Sequence, residues 1–151
     1  MGIVILKRYN KKYPETEPKQ PAVIGAVISL GHCLDLTDYG SSDILKKGYE
    51  ILKYELALVG HSMPVNKNIT GNDDLLLREL DCAVIERIHQ LNRELERRPY
   101  DSVRGVFTEG APVYKDSGIM QKTHMQLCII NPNCIKGLFS PLLPDSEWNI
   151  V

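Results

Sequence analysis

Polar and apolar side chains alternate along residues 124–130, a pattern typical of a β-strand. Because successive side chains of a strand point to opposite faces, the apolar set is predicted to face the core. That set is Met125, Leu127 and Ile129. His124, Gln126 and Cys128 then share the other face, and a strand of this kind can line a cleft. The alternative is that His124 and Gln126 simply face solvent.

The loop at residues 108–118 comes just before this strand and is rich in turn-forming and polar residues. Loops that lead into a cleft often carry functional groups. Glu109 could act as an acid or a base, and Arg104, which precedes the loop, could bind a phosphate. Two simpler interpretations stay open, because Arg104 could be a strand-edge charge and Glu109 could serve the turn alone.

The cysteines and histidines form no pattern typical of a metal site, so no metal is predicted. Four histidines are scattered along the chain, and four cysteines lie without any C-x-x-C pair. The cysteines stand in apolar surroundings and are predicted to be buried, reduced thiols of a cytoplasmic protein. A disulfide or a metal site is the alternative. The four are Cys33, Cys82, Cys128 and Cys134.

Asp35 and Asp38 stand close together and could act as a pair of carboxylates. They are predicted instead to cap the turn before the first helix, since aspartate side chains readily accept hydrogen bonds from nearby backbone amides. The sequence contains no P-loop, nucleophile elbow or dinucleotide fingerprint. The residues alone therefore do not spell out a complete active site.

The elements that must position these side chains are predicted to form one small domain. The chain has 151 residues, of which 43% are hydrophobic and 25% are charged, as in ordinary globular proteins. Residues 1–20 are predicted to be an irregular lead-in, residues 21–140 the domain and residues 141–151 a loose tail. The net charge of −1 gives no long-range attraction to nucleic acid or to an anionic membrane.

Hydrophobic periodicity predicts an α+β fold with two main helices and a small mixed or antiparallel sheet. The first helix is predicted to begin at Ser41 or Ser42 and to end near Val59. The second covers residues 77–95, and its predicted caps are Asn72, Asp73 or Asp74.

Strands are predicted at residues 22–28, 34–36, 102–107 and 124–130. Residues 22–28 are apolar on both faces, which is typical of a central strand that is buried on both sides. Residues 134–139 are predicted to return beside the strand at residues 124–130.

Several stretches are together similar to one known family. They are PAVIGAVI at 21–28, GHCLDL at 31–36, LDCAVI at 80–85, YDSVRGVF at 100–107, KTHMQLCI at 122–129 and NPNCI at 131–135. Over roughly residues 20–140 the chain resembles the C-terminal part of an uncharacterised bacterial family with an ADP-ribosyltransferase-like fold. The resemblance implies that fold here.

The resemblance also implies a chemistry, in which ADP-ribose is transferred from NAD to a macromolecule and nicotinamide is released. Proteins of this fold often serve as toxins or in phage defence. By position, Gln126 resembles the Glu or Gln that contacts the nicotinamide ribose. His124 and Arg104 would line the cleft or meet phosphate, and Glu109 would help select the acceptor.

An alternative function follows from what the resemblance does not cover. Members of this fold usually begin with a Tyr-His-Gly-like motif that grips NAD, whereas Tyr9 and Tyr13 stand in other contexts. We therefore expect a fold shortened at its N-terminus. On this interpretation the chain is a non-catalytic module that binds a partner chain or self-associates through apolar surface.

Overall fold

The computed structural model of the chain describes residues 24–68, 75 and 77–140. These residues divide into two compact units, one holding residues 24–29 and 135–140 and the other the residues between 30 and 134. The predicted lead-in, the predicted tail and the predicted cap residues Asn72, Asp73 and Asp74 lie outside the described residues. Among the described residues, no helix is long and apolar enough to cross a membrane.

The described residues confirm an α+β architecture with two helices and small sheets. In chain order the elements are β1 (Gly25–Ile28), β2 (Cys33–Asp35), α1 (Tyr39–Leu58), α2 (Glu79–Glu94), β3 (Ser102–Phe107), β4 (His124–Ile129), a 3-10 turn (Pro132–Cys134) and β5 (Ile135–Phe139). In the larger unit, β3 is the central strand of a mixed sheet. It pairs with β2 in parallel and with β4 antiparallel.

Helix α1 begins one turn earlier than predicted because Asp38 provides its cap. The carboxylate of Asp38 accepts the backbone N–H of Gly40 at 3.0 Å, which satisfies an amide that the helix leaves free. Ser41, a predicted cap, is instead buried inside the first turn, so that prediction is wrong. The helix ends at Leu58, and Gly60 follows with a φ of +71°, a left-handed conformation that glycine adopts readily.

Helix α2 receives its cap from a residue far back in the chain. The side-chain oxygen of Asn66 accepts the backbone N–H groups of Leu80 and Asp81 at 3.0 and 3.3 Å. The helix then packs against α1, where Gly48 faces Ile88 at very close range. A glycine at this point lets the two backbones approach.

The core of the larger unit lies between the helices and one face of the mixed sheet. Leu34 and Val103 from the sheet and Val84 and Ile88 from α2 are among the buried apolar residues of this unit. Leu34 lies opposite Val103 in the β2–β3 register, so both point to the same face. The sheet is therefore covered by helices on the face that carries Val103.

The face of β4 that carries Gln126 and Cys128 lies toward the helices, whereas the face that carries Met125 was predicted to lie toward the core. Cys128 lies opposite Val103 and Gln126 lies opposite Gly105, which places both on the helix-covered face. Met125 points the other way and is 58% exposed. The prediction that this set faces the core is therefore wrong for Met125, whereas Leu127 and Ile129 are half-buried. Alternation fixes which residues share a face, but it does not say which face the helices cover.

The chain leaves the mixed sheet after β4, so the prediction that residues 134–139 return beside β4 is wrong. Strand β5 pairs antiparallel with β1, with Phe139 opposite Gly25. Among the described residues, β1 pairs with β5 alone, and Val27 is 57% exposed. Residues 25–28 therefore do not form a central strand that is buried on both sides, contrary to the prediction.

Candidate functional site

Gln126 and His124 are brought into direct contact on the helix-covered face of β4. The side-chain nitrogen Nε2 of Gln126 lies 2.7 Å from Nε2 of His124. On its other side, the imidazole places Nδ1 2.6 Å from the carbonyl oxygen of Lys122. The His124 ring also stacks on Phe107 of β3, with centroids 6.1 Å apart and planes inclined by 27°. The imidazole is therefore held by two polar contacts and one ring contact.

A groove of about 490 Å³ lies between this face of the sheet and α2, and Gln126 lines it. We call it the Gln126 groove. Its floor is formed by Val103, Gly105 and Phe107 of β3, and Cys128 stands beside Gln126. The shape is concave and mostly apolar with a few polar groups, which is the usual character of a small-molecule site.

Side chains of α2 form the second wall of the Gln126 groove. The sequence did not predict a site at these residues. Glu86, His89 and Arg93 line it from α2. Their spacing of three and then four residues puts them on one face of the helix, and that spacing was the available signal. Charges on an amphipathic helix usually face solvent, so this spacing alone does not predict a site. The structure turns this charged face toward Gln126.

His89 is half-buried in this wall, packed edge-on against Tyr100 with ring centroids 5.8 Å apart. Burial lowers its pKa, because the protonated ring loses hydration that the neutral ring does not need. Glu86 opposes this effect and Arg93 adds to it. The groove thus offers an uncharged imidazole at neutral pH beside the cation of Arg93 and the anion of Glu86.

Arg104 is not brought together with Gln126 and His124. It lies opposite Leu127 in the register, on the sheet face that points away from the Gln126 groove. There its guanidinium forms an ion pair with Asp35. Arg104 holds the pKa of that carboxyl well below its usual range, with help from Thr37, and the pKa of Arg104 is raised in turn. Arg104 therefore does not line a cleft together with His124, contrary to the prediction.

Asp35 and Asp38 are not a carboxylate pair. Both were predicted to cap the turn before the first helix, and Asp38 caps α1 itself, while Asp35 accepts the backbone N–H and the hydroxyl of Thr37 at 3.0 and 2.7 Å. Both side chains stabilise the β2–α1 turn. Asp35 in addition anchors Arg104, a contact that the sequence spacing did not indicate.

Glu109 lies at the start of the loop, residues 108–123, that leads to His124. Its carbonyl oxygen accepts the backbone N–H of Lys122 at 3.0 Å, and the carbonyl of Lys122 in turn contacts the ring of His124. Further along, the loop is closed by a bond from the N–H of Val113 to the oxygen of Ile119 at 2.9 Å. The loop therefore places Glu109 near the His124 end of β4.

The thiols are all free, but only some are buried as predicted. Cys134 is buried and Cys33 is half-buried, whereas Cys82 and Cys128 are exposed. The burial prediction is wrong for the last two because both open onto the Gln126 groove.

A second, larger cavity of about 790 Å³ lies between α1, α2 and β3. Leu45, Tyr49 and Val84 line it, and it shares Phe107 with the Gln126 groove. The guanidinium of Arg78 lies 4.6 Å from the centre of the Phe107 ring. The same phenylalanine thus contacts an arginine and the imidazole of His124.

In the part of the chain that the structure describes, no group of three or more His, Cys, Asp or Glu side chains is arranged to hold a metal ion. No protein-family model, curated protein or solved structure matches the chain.

Proposed function

We propose that this protein is ADP-ribosyltransferase-like and uses NAD to modify a macromolecule. The observation that carries the proposal is the position of Gln126. Its side chain is held by His124 and opens onto a concave groove of about 490 Å³. The resemblance of residues 20–140 to the ADP-ribosyltransferase-like family also points to this chemistry.

The groove has the size and lining for the nicotinamide riboside part of NAD. Ligand sites usually measure about 300–1,000 Å³, and the Gln126 groove, at about 490 Å³, falls within that range. The apolar floor around Val103 and Phe107 suits a flat pyridine ring. Arg93 lines the same groove, and a guanidinium is well suited to hold a diphosphate.

The reaction breaks the bond between C1′ of the ribose and the pyridinium nitrogen. Nicotinamide leaves as a neutral molecule with the bonding electron pair, and positive charge develops on the ribose. The carbonyl oxygen of Gln126 accepts a hydrogen bond from a ribose hydroxyl and turns its dipole toward that charge. A nucleophile of the acceptor then bonds to C1′ and gives up its proton to solvent.

Gln126 makes this reaction slower than a carboxylate at the same position would. A neutral amide supplies a dipole rather than a full negative charge, so the transition state is stabilised less. We therefore expect slow nicotinamide release.

The test is nicotinamide release from NAD by the purified chain, with Gln126→Ala alongside. Gln121→Ala is the matched control, since Gln121 is exposed in the loop before β4 and does not line the groove. We expect release by the wild type and by the control, and a loss of at least tenfold in Gln126→Ala. Equal release by all three proteins would contradict the assignment of Gln126.

A second candidate function, non-catalytic binding of a second copy of this chain, is favoured by the apolar surface of the smaller unit. In its described residues, Val27 of β1 and Leu138 of β5 are 57% and 68% exposed. Two short strands with exposed apolar side chains can extend by pairing with another strand.

Light scattering over a range of concentrations tests this candidate. We expect the wild type to self-associate and Val27→Ser/Leu138→Ser to be monomeric. Tyr54→Ser is the control, because Tyr54 is an exposed apolar residue of the other unit, on α1. A wild type that stays monomeric at all concentrations would argue against self-association.

A further inference from the structure

The contacts of His124 determine which of its ring nitrogens carries the proton. Nδ1 lies 2.6 Å from the carbonyl oxygen of Lys122, and a carbonyl oxygen can only accept a hydrogen bond. Nδ1 must therefore donate. A neutral imidazole has a single N–H, so Nε2 is left as an acceptor.

That acceptor in turn determines the orientation of the Gln126 amide. The group of Gln126 that lies 2.7 Å from the bare Nε2 of His124 must be a donor, and the amide has its donors on nitrogen. The NH₂ end is thus directed toward the histidine. The carbonyl oxygen Oε1 is directed away from it and is left to accept a hydrogen bond from a ligand.

We propose that His124 is a positioning residue, which holds the amide of Gln126 so that Oε1 and not the NH₂ group meets the ligand. The proposal deepens the proposed function and rests on it for the identity of the ligand, a ribose whose hydroxyl donates to Oε1. A ligand that offers only an acceptor at this place would be disfavoured, because two acceptors repel each other.

The surroundings of His124 keep the ring in this orientation. Phe107 stacks on it from β3. The Lys122 carbonyl that receives its proton is itself fixed, since the backbone N–H of Lys122 bonds to the oxygen of Glu109 at 3.0 Å. The loop at residues 108–123 thus sets the orientation of Gln126 through one backbone carbonyl and one imidazole.

The tautomer can be measured without any enzymatic assay. In ¹⁵N-labelled protein at neutral pH, two-dimensional NMR of the histidine side chains separates protonated from bare ring nitrogens. We expect His124 to carry its proton on Nδ1, and His124→Phe identifies its signals by their loss. A proton on Nε2 would overturn the proposal, whether or not the protein turns over NAD.

A kinetic comparison separates positioning from a general structural role. His124→Phe keeps a ring against Phe107 but removes the acceptor, so we expect kcat for nicotinamide release to fall about three- to tenfold, the effect of one net hydrogen bond. In a Gln126→Glu background the same change should have less than a twofold effect. A carboxylate has two acceptor oxygens, so an acceptor faces the ligand whichever way the group is turned.

Equal losses in the Gln126 and Gln126→Glu backgrounds would show that His124 acts only through the fold, and the proposal would fail. If the wild type releases no nicotinamide, the proposed function fails instead, and the tautomer measurement still decides the role of His124. The two failures are therefore distinguishable.

Discussion

Asp101 shows how much of this fold depends on a single side chain. Its carboxylate accepts the backbone N–H of His32 at 2.7 Å and the side-chain amide of Asn131 at 2.8 Å. Its own backbone bonds to both of these residues as well. One aspartate therefore ties together the start of β2, the start of β3 and the end of β4, the three strands of the mixed sheet.

We expect Asp101→Asn to lower the urea midpoint of unfolding at pH 7. The amide of asparagine can accept through one atom only, so either the amide of His32 or the side chain of Asn131 loses its partner. The control is Asp43→Asn, which removes an exposed carboxylate 3.6 Å from Lys46 on α1 and should change the midpoint little. Equal midpoints for the two variants would contradict the role of Asp101.

At the scale of elements, the sequence predicted what local patterns determine and missed what depends on distant partners. Helix α2 lies where periodicity places it, because its apolar spacing is long and regular, and β3 covers the predicted residues 102–107. The pairing of β5 with β1 joins residues more than a hundred positions apart, and no local pattern encodes it. The same limit explains why Gln126 and His124 could be placed on one face while Arg104 was wrongly grouped with them.

The α1–α2 contact gives a prediction at this scale. A Cβ at Gly48 would lie 2.6 Å from the side chain of Ile88, which is buried. We expect Gly48→Ala to destabilise the protein by about 1–3 kcal/mol, since the helices must move apart. Gly40→Ala in the same helix, where a Cβ meets nothing closer than 3.7 Å, should be neutral or stabilising by up to about 1 kcal/mol.

Urea denaturation of both variants measures the difference. A Gly48→Ala protein as stable as Gly40→Ala would mean that α1 and α2 do not pack closely at this point. In an Ile88→Ala background, which removes the Cγ1 atom that would lie 2.6 Å from the new Cβ, Gly48→Ala should cost less stability than it does in the wild type.

At the scale of the molecule, the described apolar core is small, and charged contacts join the elements around it. Its buried apolar residues are Leu34, Val84, Ile88, Val103 and Cys134. Against this stand several charged contacts between elements. Arg87, a mostly buried residue of α2, binds Glu55 of α1 through two bonds of 2.6 and 2.5 Å and also binds Glu94. Asp35 and Arg104 likewise join β2 to β3.

These ion pairs predict that the free energy of unfolding falls in acid. Arg104 and Thr37 lower the pKa of Asp35, and Arg87 lowers the pKa of Glu55. A carboxyl whose pKa is lower in the folded state stabilises that state fully above its ordinary pKa, 3.8 for Asp35 and 4.5 for Glu55. The contribution is lost as the pH falls through the lowered values, since protonation then breaks the ion pair.

We therefore expect the free energy of unfolding of the wild type to fall steeply below about pH 4.5, the ordinary pKa of Glu55. Asp35→Asn/Glu55→Gln should be less stable at pH 7, and its difference from the wild type should shrink as the pH falls toward 2 without vanishing, because the pKa of Asp35 is lowered so far that part of this carboxyl stays charged in the folded wild type. Urea unfolding at intervals from pH 7 to pH 2 measures both curves, and their difference cancels the other titrating groups. Parallel curves would show that the two ion pairs do not stabilise the fold.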